Sequence, residues 1–251
     1  MTAVQRPPVP PVMLLAAGRG SRLQPLTNRV PKPLIAVAGR PLIDRQLHQL
    51  EDAGAGRVVV NSFHLAERLE AHLNAHWAAG APDPDAAVFQ ISLSREPALL
   101  ETGGGILYAQ ALLGADEVWI LNGDILMNAP LAAFPRQLPA GEDLHLLLRP
   151  TPSHRSHGDF EWLEGRITER GDSYVYCGLA LLSVPALRRY ARLLPDAADG
   201  PQTFSLQGFL FDCVTRGCAG GTVYDGYWFD IGTPEQLEAA NRFLGGRSAV
   251  D

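Results

Sequence analysis

The chain has 251 residues, of which 46% are hydrophobic and 19% are charged, and its formal net charge at pH 7 is -6. This acidic balance excludes the basic field that binding to nucleic acid or to an anionic membrane surface requires. The sequence holds no run of about 18 apolar residues, and its three cysteines match no zinc or redox spacing, so we expect a cytoplasmic protein with free thiols.

Strands and helices are predicted to alternate through the first half of the chain. Residues 1–11, which include four prolines, are expected to form an extended, poorly ordered lead-in. An apolar run at 12–17 then predicts a buried strand that ends in a glycine loop. The remaining elements of this half are predicted as helices at 41–53, 65–73 and 103–113 and strands at 57–61, 88–93 and 118–121.

Alternation with such short connections predicts a mostly parallel sheet that helices cover on both faces. Ligands of these sheets bind at the carboxyl ends of the strands. The glycine loop that begins at Gly18 and the carboxylate of Asp124 both fall at predicted strand ends. We therefore expect the functional site at that edge of the sheet.

The second half of the chain is less regular. A hairpin is predicted at 160–167, with its turn at Glu164 and Gly165. Thr233 and Gln236 have the spacing of a capping box, which opens a helix to about residue 243. The other elements are predicted as strands at 144–148, 174–182, 220–224 and 227–229 and helices at 185–194 and 204–216. With no internal repeat and no linker, we expect residues 12–251 to form one domain.

The strongest motif is the glycine loop with the cations that follow it. Backbone N–H groups at Gly18 and Gly20 can approach phosphates closely, and Arg22 and Lys32 would neutralise phosphate charge. A dinucleotide-binding loop is excluded because its third glycine would stand at Leu23, and a Walker loop is excluded because Gly-Lys-Ser/Thr is absent. The segment therefore predicts phosphate binding of another kind.

Lys32 is the single lysine among 21 lysine and arginine residues. An arginine bias of this strength is typical of the coding preference of a genome, so chance is one explanation for the last remaining lysine. The other explanation is that the position requires a compact ammonium, which acts on phosphate as a point charge where the guanidinium fork is broader.

Five segments carry a resemblance to a known family. They are LAAGRGSRL at 15–23, PKPL at 31–34, ETGGGI at 101–106, NGD at 122–124 and GDF at 158–160. The chain resembles the nucleotide-diphospho-sugar pyrophosphorylases over nearly its whole length, and within that superfamily it is most similar to the N-acetylmuramate-1-phosphate uridylyltransferases of cell-wall recycling. The resemblance implies a three-layer α/β/α, Rossmann-like fold with a mixed, mainly parallel sheet. A nucleotide half at about 12–140 and a sugar half at about 141–251 are expected.

The resemblance implies transfer of a uridylyl group from UTP to N-acetylmuramate 1-phosphate or a related hexosamine 1-phosphate, with release of pyrophosphate. Arg22 would hold the departing β- and γ-phosphates, and Lys32 would stabilise the α-phosphate. Asp124 and Asp230 would bind the catalytic Mg²⁺, for which Mn²⁺ can substitute. No general base is needed because the attacking sugar phosphate is already an anion, so catalysis would consist of positioning and charge neutralisation.

The same resemblance assigns further residues to the two substrates. The nucleotide-binding residues would be Ala16, Ala17, Gly18, Gly20, Ser21, Glu96, Glu101, Thr102, Gly103 and Asn122. The sugar-binding residues would be Gly158, Asp159, Glu169 and Gly178.

Two positions depart from the broad family pattern. Glu101 stands where many relatives have glycine, and it either contacts the substrate or caps the helix that begins near Gly103. Glu169, Arg170 and Gly171 stand where many relatives have Glu-Lys-Pro, which leaves the contact to the sugar phosphate open.

Two other functions remain as alternatives. The first is a thymidylyl-, guanylyl- or cytidylyltransferase with another phosphorylated acceptor, since base and sugar are recognised by pocket shape. The second is a catalytically silent relative that binds nucleotide sugars, although the presence of all four proposed catalytic and metal-binding residues argues against it. The sequence does not indicate an oligomeric state.

Several polar and aromatic residues are interpreted as structural. The histidine pairs His72 with His76 and His154 with His157 lack further ligands and are expected at the surface rather than around a metal. The aromatic group near the end of the chain is expected mostly to pack in a core: Tyr224, Tyr227, Trp228 and Phe229.

Overall fold

The computed structural model describes residues 6–77, 89–153, 155–195 and 200–247. Its strands are β1 (Val12–Leu15), β2 (Ala36–Val37), β3 (Arg40–Pro41), β4 (Arg57–Ser62), β5 (Gln90–Arg95), β6 (Glu117–Asn122), β7 (Ile125–Met127), β8 (Leu144–Pro150), β9 (Phe160–Leu163), β10 (Arg166–Ser183), β11 (Ala219–Val223) and β12 (Trp228–Asp230). Its helices are α1 (Leu42–Asp52), α2 (Ala66–His76), α3 (Glu101–Tyr108), α4 (Gln110–Leu113), α5 (Val184–Ala191), α6 (Leu206–Thr215) and α7 (Pro234–Arg247).

Eight of the described strands form one sheet in the order β11-β8-β10-β6-β1-β4-β5, with β9 paired to β10. The other four form two small ribbons, β2 with β3 and β7 with β12. Strand β1 runs parallel to both β4 and β6, so that Met13 lies opposite Val59 and Ile120. Strand β10 is antiparallel to β6 and β8, and it joins the strands of the second half to the same sheet. The sheet is therefore mixed, and the carboxyl ends of β1, β4, β5 and β6 share one edge.

Two hydrophobic cores lie on opposite faces of this sheet. Val12 and Leu14 of β1 belong to the core that includes Leu47 of α1 and Leu69 of α2. Met13, which points to the other face because side chains alternate along a strand, belongs to the core formed with helices α3 to α6. Strands that are buried on both faces consist of near-continuous apolar runs, and this confirms the predicted three-layer α/β/α architecture.

The long strand β10 differs from the prediction. The hairpin at 160–167 is confirmed, since Glu164 and Gly165 have φ values of 48° and 89°, as a two-residue type I′ turn requires. The prediction of a separate strand at 174–182 is wrong, because β10 continues from the hairpin as one strand of 18 residues. Its pairing shifts register against β8 between Tyr176 and Ala180, where Gly178 has a φ of 84° and allows the strand to bend.

The remaining elements lie within a few residues of their predicted bounds. The strand predicted at 88–93 begins at Gln90, and residue 88 lies outside the described residues. The capping box is confirmed: the backbone N–H of Gln236 donates to Thr233 Oγ1 at 3.3 Å, and Gln236 Oε1 accepts from the backbone N–H of Gly232 at 2.9 Å. The strand predicted at 227–229 is confirmed as β12, but β7 and the ribbon that it forms with β12 were not predicted, because periodicity does not show which strands pair.

Residues 6–11 have no regular secondary structure, yet they pack against the rest of the chain. Val9 is buried, and the Arg136 guanidinium donates to the carbonyl oxygen of Pro7 at 2.9 Å. Residues 1–5 lie outside the described residues. None of the described helices has the length and apolar character needed to span a membrane.

Candidate active site

The site begins where β1 ends and the chain turns sharply at the glycine loop. Gly20 has a φ of 60°, a left-handed conformation that favours glycine. A Cβ at this position would lie 2.9 Å from Thr27 Cγ2, and the Thr27 hydroxyl donates to the carbonyl oxygen of Gly20 at 2.9 Å. The turn leads into the short 3-10 helix Ser21–Leu23, in which Ser21 is exposed.

A second close approach connects the ends of β6 and β1. The backbone N–H of Gly123 donates to the carbonyl oxygen of Leu15 at 2.9 Å, and a Cβ at Gly123 would collide with that same oxygen. Only glycine therefore fits between the two strand ends. As a result Asp124, the next residue, lies beside the glycine loop.

Lys32 and Asp124 form an ion pair at this edge of the sheet. Lys32 Nζ lies 2.6 Å from Asp124 Oδ2, and the two side chains are 13% and 29% exposed. Although 92 residues separate them in the sequence, the structure brings these two predicted site residues into direct contact. The ammonium is thus held at the mouth of the glycine loop.

Asp230 approaches the same pair from the β7–β12 ribbon. It lies opposite Ile125 in the ribbon, and the backbone N–H of Ile231 donates to the carbonyl oxygen of Asp124 at 2.8 Å. Burial, together with the negative charge of Asp124, raises the pKa of the Asp230 carboxyl. Its Oδ1 is buried and has no hydrogen-bond partner within the described part of the chain.

These two carboxylates fit a divalent cation. A buried carboxylate oxygen without a partner, next to a second carboxylate, is a feature that a cation would satisfy. The described ranges contain no group of three or more His, Cys, Asp or Glu side chains that could hold a metal alone. Mg²⁺ is typically held by one or two carboxylates together with substrate phosphates and water, so Asp124 and Asp230 suit that ion.

Arg22 lies on the solvent side of this group. Its side chain is exposed, and a Cβ at Gly232 would lie 2.8 Å from its Nη2. The guanidinium is therefore close to the chain that connects Asp230 to α7. Its positive charge, like that of Lys32, lowers the pKa of Asp230 against the effect of burial.

A buried polar network supports the glycine loop from below. The backbone N–H of Ala16 donates to Asn61 Oδ1 at 2.6 Å, and Asn61 Nδ2 donates to Glu96 Oε1 at 2.7 Å. The second oxygen of Glu96 accepts from the backbone N–H of Leu100 at 3.0 Å. Burial raises the pKa of Glu96, whereas the hydrogen bonds from Leu100 and Asn61 lower it, and the net shift is upward.

Asn61 was not among the predicted site residues. Its side chain is buried at the carboxyl end of β4. A buried amide in an otherwise apolar strand needs hydrogen-bond partners, and this was the signal that could have identified it. The network also shows that Glu96 is tied directly to the end of β4 by its bond from Asn61, and only through Asn61 to the chain that follows β1.

The start of α3 is compatible with both interpretations of Glu101. Glu101 is exposed, has a φ of 58°, and is the first residue of α3, so its carboxylate lies in the first turn of the helix. The N–H groups of Gly103 and Gly104 donate to the carbonyl oxygen of Phe204. A carboxylate in the first turn favours the helix dipole, and Glu101 also lines the glycine-loop cleft. Gly103 was predicted to bind nucleotide, but its N–H is already used within the protein.

Two adjoining clefts open at this edge of the sheet. The glycine-loop cleft has a volume of about 230 Å³ and is lined by Leu15, Ala16, Ala17, Gly18, Gly20, Lys32, Pro33, Asn61, Glu96, Leu99, Glu101, Thr102, Asn122, Gly123 and Asp124. The aromatic cleft has a volume of about 210 Å³ and is lined by Thr102, Asn122, Asp159, Phe160, Tyr176, Ser205, Leu206, Gln207, Leu210 and Phe211. Thr102 and Asn122 line both, so the two clefts meet between them.

The predicted sugar-binding residues divide between this second cleft and its surroundings. Asp159 lines the aromatic cleft, and its Oδ2 accepts from the backbone N–H of Tyr176 at 2.9 Å. Gly178 lies against Asn122, a residue of the cleft lining, since a Cβ at Gly178 would lie 3.2 Å from the Cβ of Asn122. Gly158 precedes Asp159 but lines neither cleft, and its backbone N–H donates to Asp172 Oδ1 at 3.1 Å.

Glu169 is not brought to either cleft. It is exposed and lies opposite Glu161 in the β9–β10 hairpin, so no contact supports its predicted role. Its neighbour Arg170 lies closer to the aromatic cleft. The guanidinium carbon of Arg170 is 4.2 Å from the centre of the ring of Phe211, which lines that cleft. Most of the aromatic cleft was not predicted, since its side chains come from α3, β6, β9, β10 and α6 and from the loops before β9 and α6.

The residues interpreted as structural are only partly as expected. Tyr224 and Trp228 are buried, and the indole N–H of Trp228 donates to the carbonyl oxygen of Cys177 at 3.0 Å. His72 is not freely exposed, because its Nε2 lies 2.8 Å from Asp44 Oδ1. The prediction for His154 lies outside the described residues.

Comparisons with known proteins identify the family of this chain. Residues 11–158 match the family model described as Nucleotidyl transferase, and the chain belongs to that family of sugar-phosphate nucleotidyltransferases. It is 33% identical over 241 residues to the N-acetylmuramate alpha-1-phosphate uridylyltransferase of Neisseria meningitidis serogroup B, which covers 93% of this chain and 97% of that protein. It is 35% identical over 248 residues to the protein of the same name from Caulobacter vibrioides, with 92% and 96% covered.

Solved structures share the fold at lower identity. HddC from Yersinia pseudotuberculosis superposes with a TM-score of 0.73 at 21% identity, covering 94% of this chain and 100% of that one. A UDP-glucose pyrophosphorylase complexed with UDP-glucose gives a TM-score of 0.74 at 17% identity, with 95% and 99% covered. The predicted fold class and the predicted nucleotidyltransferase class are therefore both confirmed.

Proposed function

We propose that this enzyme transfers a uridylyl group from UTP to N-acetylmuramate 1-phosphate and releases pyrophosphate. The observation that carries the proposal is the Lys32–Asp124 ion pair at 2.6 Å beside the glycine loop, with Asp230 next to it. The names of the two relatives that span nearly all of this chain support the choice of uridine and muramate. Free cysteines and a nucleoside triphosphate substrate suit the cytoplasm.

The charged groups in and around the glycine-loop cleft each have a role in this proposal. The N–H groups of residues 17–20 would receive the phosphates, and Lys32 would neutralise the α-phosphate from the position in which Asp124 holds it. Arg22 would hold the departing pyrophosphate. Asp124 and Asp230 would hold Mg²⁺, which when bound counters negative charge on phosphate oxygens.

The acceptor would occupy the aromatic cleft, next to the transfer centre. Its phosphate is an anion, so no side chain need remove a proton, and the contribution of the protein is to place it in line with the α-phosphate. Asp159 and Gly178 would contact the sugar. Phe160 and Phe211 supply apolar surface of the kind on which sugar rings pack.

N-acetylmuramate carries a carboxylate in addition to its phosphate, and the aromatic cleft has two arginines at its rim. Arg155 lies 4.0 Å from Asp159. Arg170 rests on the Phe211 ring, and the described residues place no carboxylate within 4.0 Å of its guanidinium. We assign the acceptor carboxylate to Arg170, whose planar fork matches a carboxylate.

Pyrophosphate release by the purified protein tests the proposal. UTP, dTTP, GTP and CTP are each combined with N-acetylmuramate, N-acetylglucosamine, glucose and mannose 1-phosphates, with Mg²⁺ and with a chelator as control. We expect release with UTP and N-acetylmuramate 1-phosphate well above all other pairs, and none with the chelator. Release with no pair, while a nucleotide sugar still binds, would instead identify a catalytically silent relative.

A further inference from the structure

The hydroxyl of Tyr176 is a buried polar group that the fold leaves without a partner. Tyr176 lies in β10, and its ring lines the aromatic cleft together with Phe160 and Phe211. The hydroxyl oxygen is buried and has no hydrogen-bond partner among the residues that the structure describes. Burial, ahead of the charges of Cys177 and Asp124, raises the pKa of this phenol, so the hydroxyl keeps its proton and is available as a donor.

The backbone around Tyr176 fixes the ring in the cleft. Its N–H donates to Asp159 Oδ2 at 2.9 Å, which ties β10 to another residue of the cleft wall. Two residues later, Gly178 contacts Asn122 and Ile125 so closely that a Cβ would displace them. Tyr176 therefore stands between Asp159, which precedes β9, and the end of β6, where the two clefts meet.

An unpartnered buried hydroxyl destabilises the folded state, because it has lost its hydrogen bonds to water without replacement. Buried tyrosine hydroxyls are nearly always paired. Phenylalanine would fill the same space without this penalty. The hydroxyl at position 176 is therefore explained by a ligand rather than by the stability of the empty protein.

We propose that the Tyr176 hydroxyl donates a hydrogen bond to an oxygen of the acceptor sugar and so contributes to acceptor selection. This inference rests on the proposed function, since it needs an acceptor in the aromatic cleft. A site built to bond a substrate oxygen discriminates strongly against analogues that cannot accept the bond. Tyr176 thereby joins Asp159 as an acceptor-contacting residue, on the side of the cleft nearest Asp124.

Tyr176→Phe tests this proposal, because it removes only the hydroxyl. We expect kcat/KM for the acceptor to fall roughly ten-fold, with the KM for UTP unchanged. In the absence of substrates we expect the melting temperature to rise by about 2 °C to 4 °C, since the unpaired group is gone. Tyr174→Phe is the matched control, because Tyr174 lies on the same strand against Trp162 and lines neither cleft.

Three outcomes would overturn the proposal. They are unchanged acceptor kinetics in Tyr176→Phe, a fall in its melting temperature with equal losses for both substrates, or a change in the KM for UTP alone. If the unmodified protein turns over no acceptor at all, the proposed function fails instead. The kinetics of the unmodified enzyme are therefore measured first, so that the two failures are distinguished.

Discussion

The glycine-loop cleft and the aromatic cleft lie side by side but are built in different ways. The first combines the backbone and small residues of one stretch, residues 15–20, with Lys32 and with polar residues near the ends of β4, β5 and β6. The second is lined mainly by side chains from β9, β10 and α6, which are far apart in the sequence. Phosphates are bound by backbone N–H groups and cations, whereas a sugar needs a shaped pocket, and this explains the contrast.

The largest effect is expected in the glycine-loop cleft, from the loss of the Lys32 ammonium. Lys32→Ala should lower kcat by about 10²-fold to 10³-fold, because a preorganised charge at the reacting phosphate is removed. Asp124→Asn should lower turnover comparably. Neither change should unfold the chain, since both side chains are partly exposed in a polar cleft.

Steady-state kinetics with a parallel thermal melt would check this effect. Arg242→Ala, which removes an exposed cation of α7, serves as the control for a general loss of charge. Lys32→Arg should recover little activity, because the guanidinium fork is broader than the compact ammonium that contacts Asp124 at 2.6 Å. Full activity in either Lys32→Ala or Asp124→Asn would refute the mechanism.

A smaller effect should appear below the same cleft, at Glu96. Both oxygens of this carboxylate accept hydrogen bonds, so its protonation should loosen Asn61 and the N–H of Ala16. Burial raises the pKa of Glu96. As the pH falls, the KM for UTP should therefore begin to increase at a pH above the ordinary pKa of a glutamate. Glu96→Gln should show a KM raised about ten-fold at every pH and lack this dependence.

Stability should change in the opposite direction over the same pH range. A carboxyl whose pKa is raised by folding binds its proton more tightly in the folded state, so its stabilising contribution is complete below the ordinary pKa and is lost as pH rises through the raised one. Kinetic pH profiles and denaturant melts measure the two trends separately. The exposed residue change Glu51→Gln serves as the control. If the KM of Glu96→Gln for UTP still increases at low pH as it does in the unmodified enzyme, the role of the network is contradicted.

The smallest effect should come from the rim of the aromatic cleft. Arg170 is exposed, so water and salt weaken its interaction with an acceptor carboxylate. Arg170→Ala should lower kcat/KM for N-acetylmuramate 1-phosphate by about five-fold and leave any residual use of N-acetylglucosamine 1-phosphate unchanged. Equal losses with both acceptors, or a similar loss in exposed Arg192→Ala, would remove Arg170 from acceptor selection.

The difference between the clefts also explains what the sequence could predict. Gly18, Gly20 and Lys32 are close neighbours in the sequence, so the motif itself indicated their site. Tyr176 lies within the strand predicted at 174–182, but it was missed as a site residue because it meets Phe160 and Phe211 only through the packing of β9, β10 and α6.

Register and tertiary pairing explain the remaining differences. Glu169 was expected at the acceptor, but the hairpin register sets it opposite Glu161 in solvent. The amide of Asn61 meets Glu96 only because β4 and β5 are neighbours in the sheet. The fold was predictable because alternating apolar runs determine layers, whereas pairing across the sheet depends on contacts that periodicity does not encode.

The β7–β12 ribbon has a consequence for how this site can vary among related chains. Because Asp230 lies opposite Ile125 and the chain at Ile231 bonds to Asp124, the separation of the two carboxylates is determined by a backbone ladder rather than by neighbouring side chains. Substitutions in the ribbon are therefore compatible with the pair, provided that the ladder is kept. A single inserted residue before Asp230 would turn its side chain to the other face of the ribbon. Related chains must therefore conserve the length of the ribbon strands more strictly than their composition.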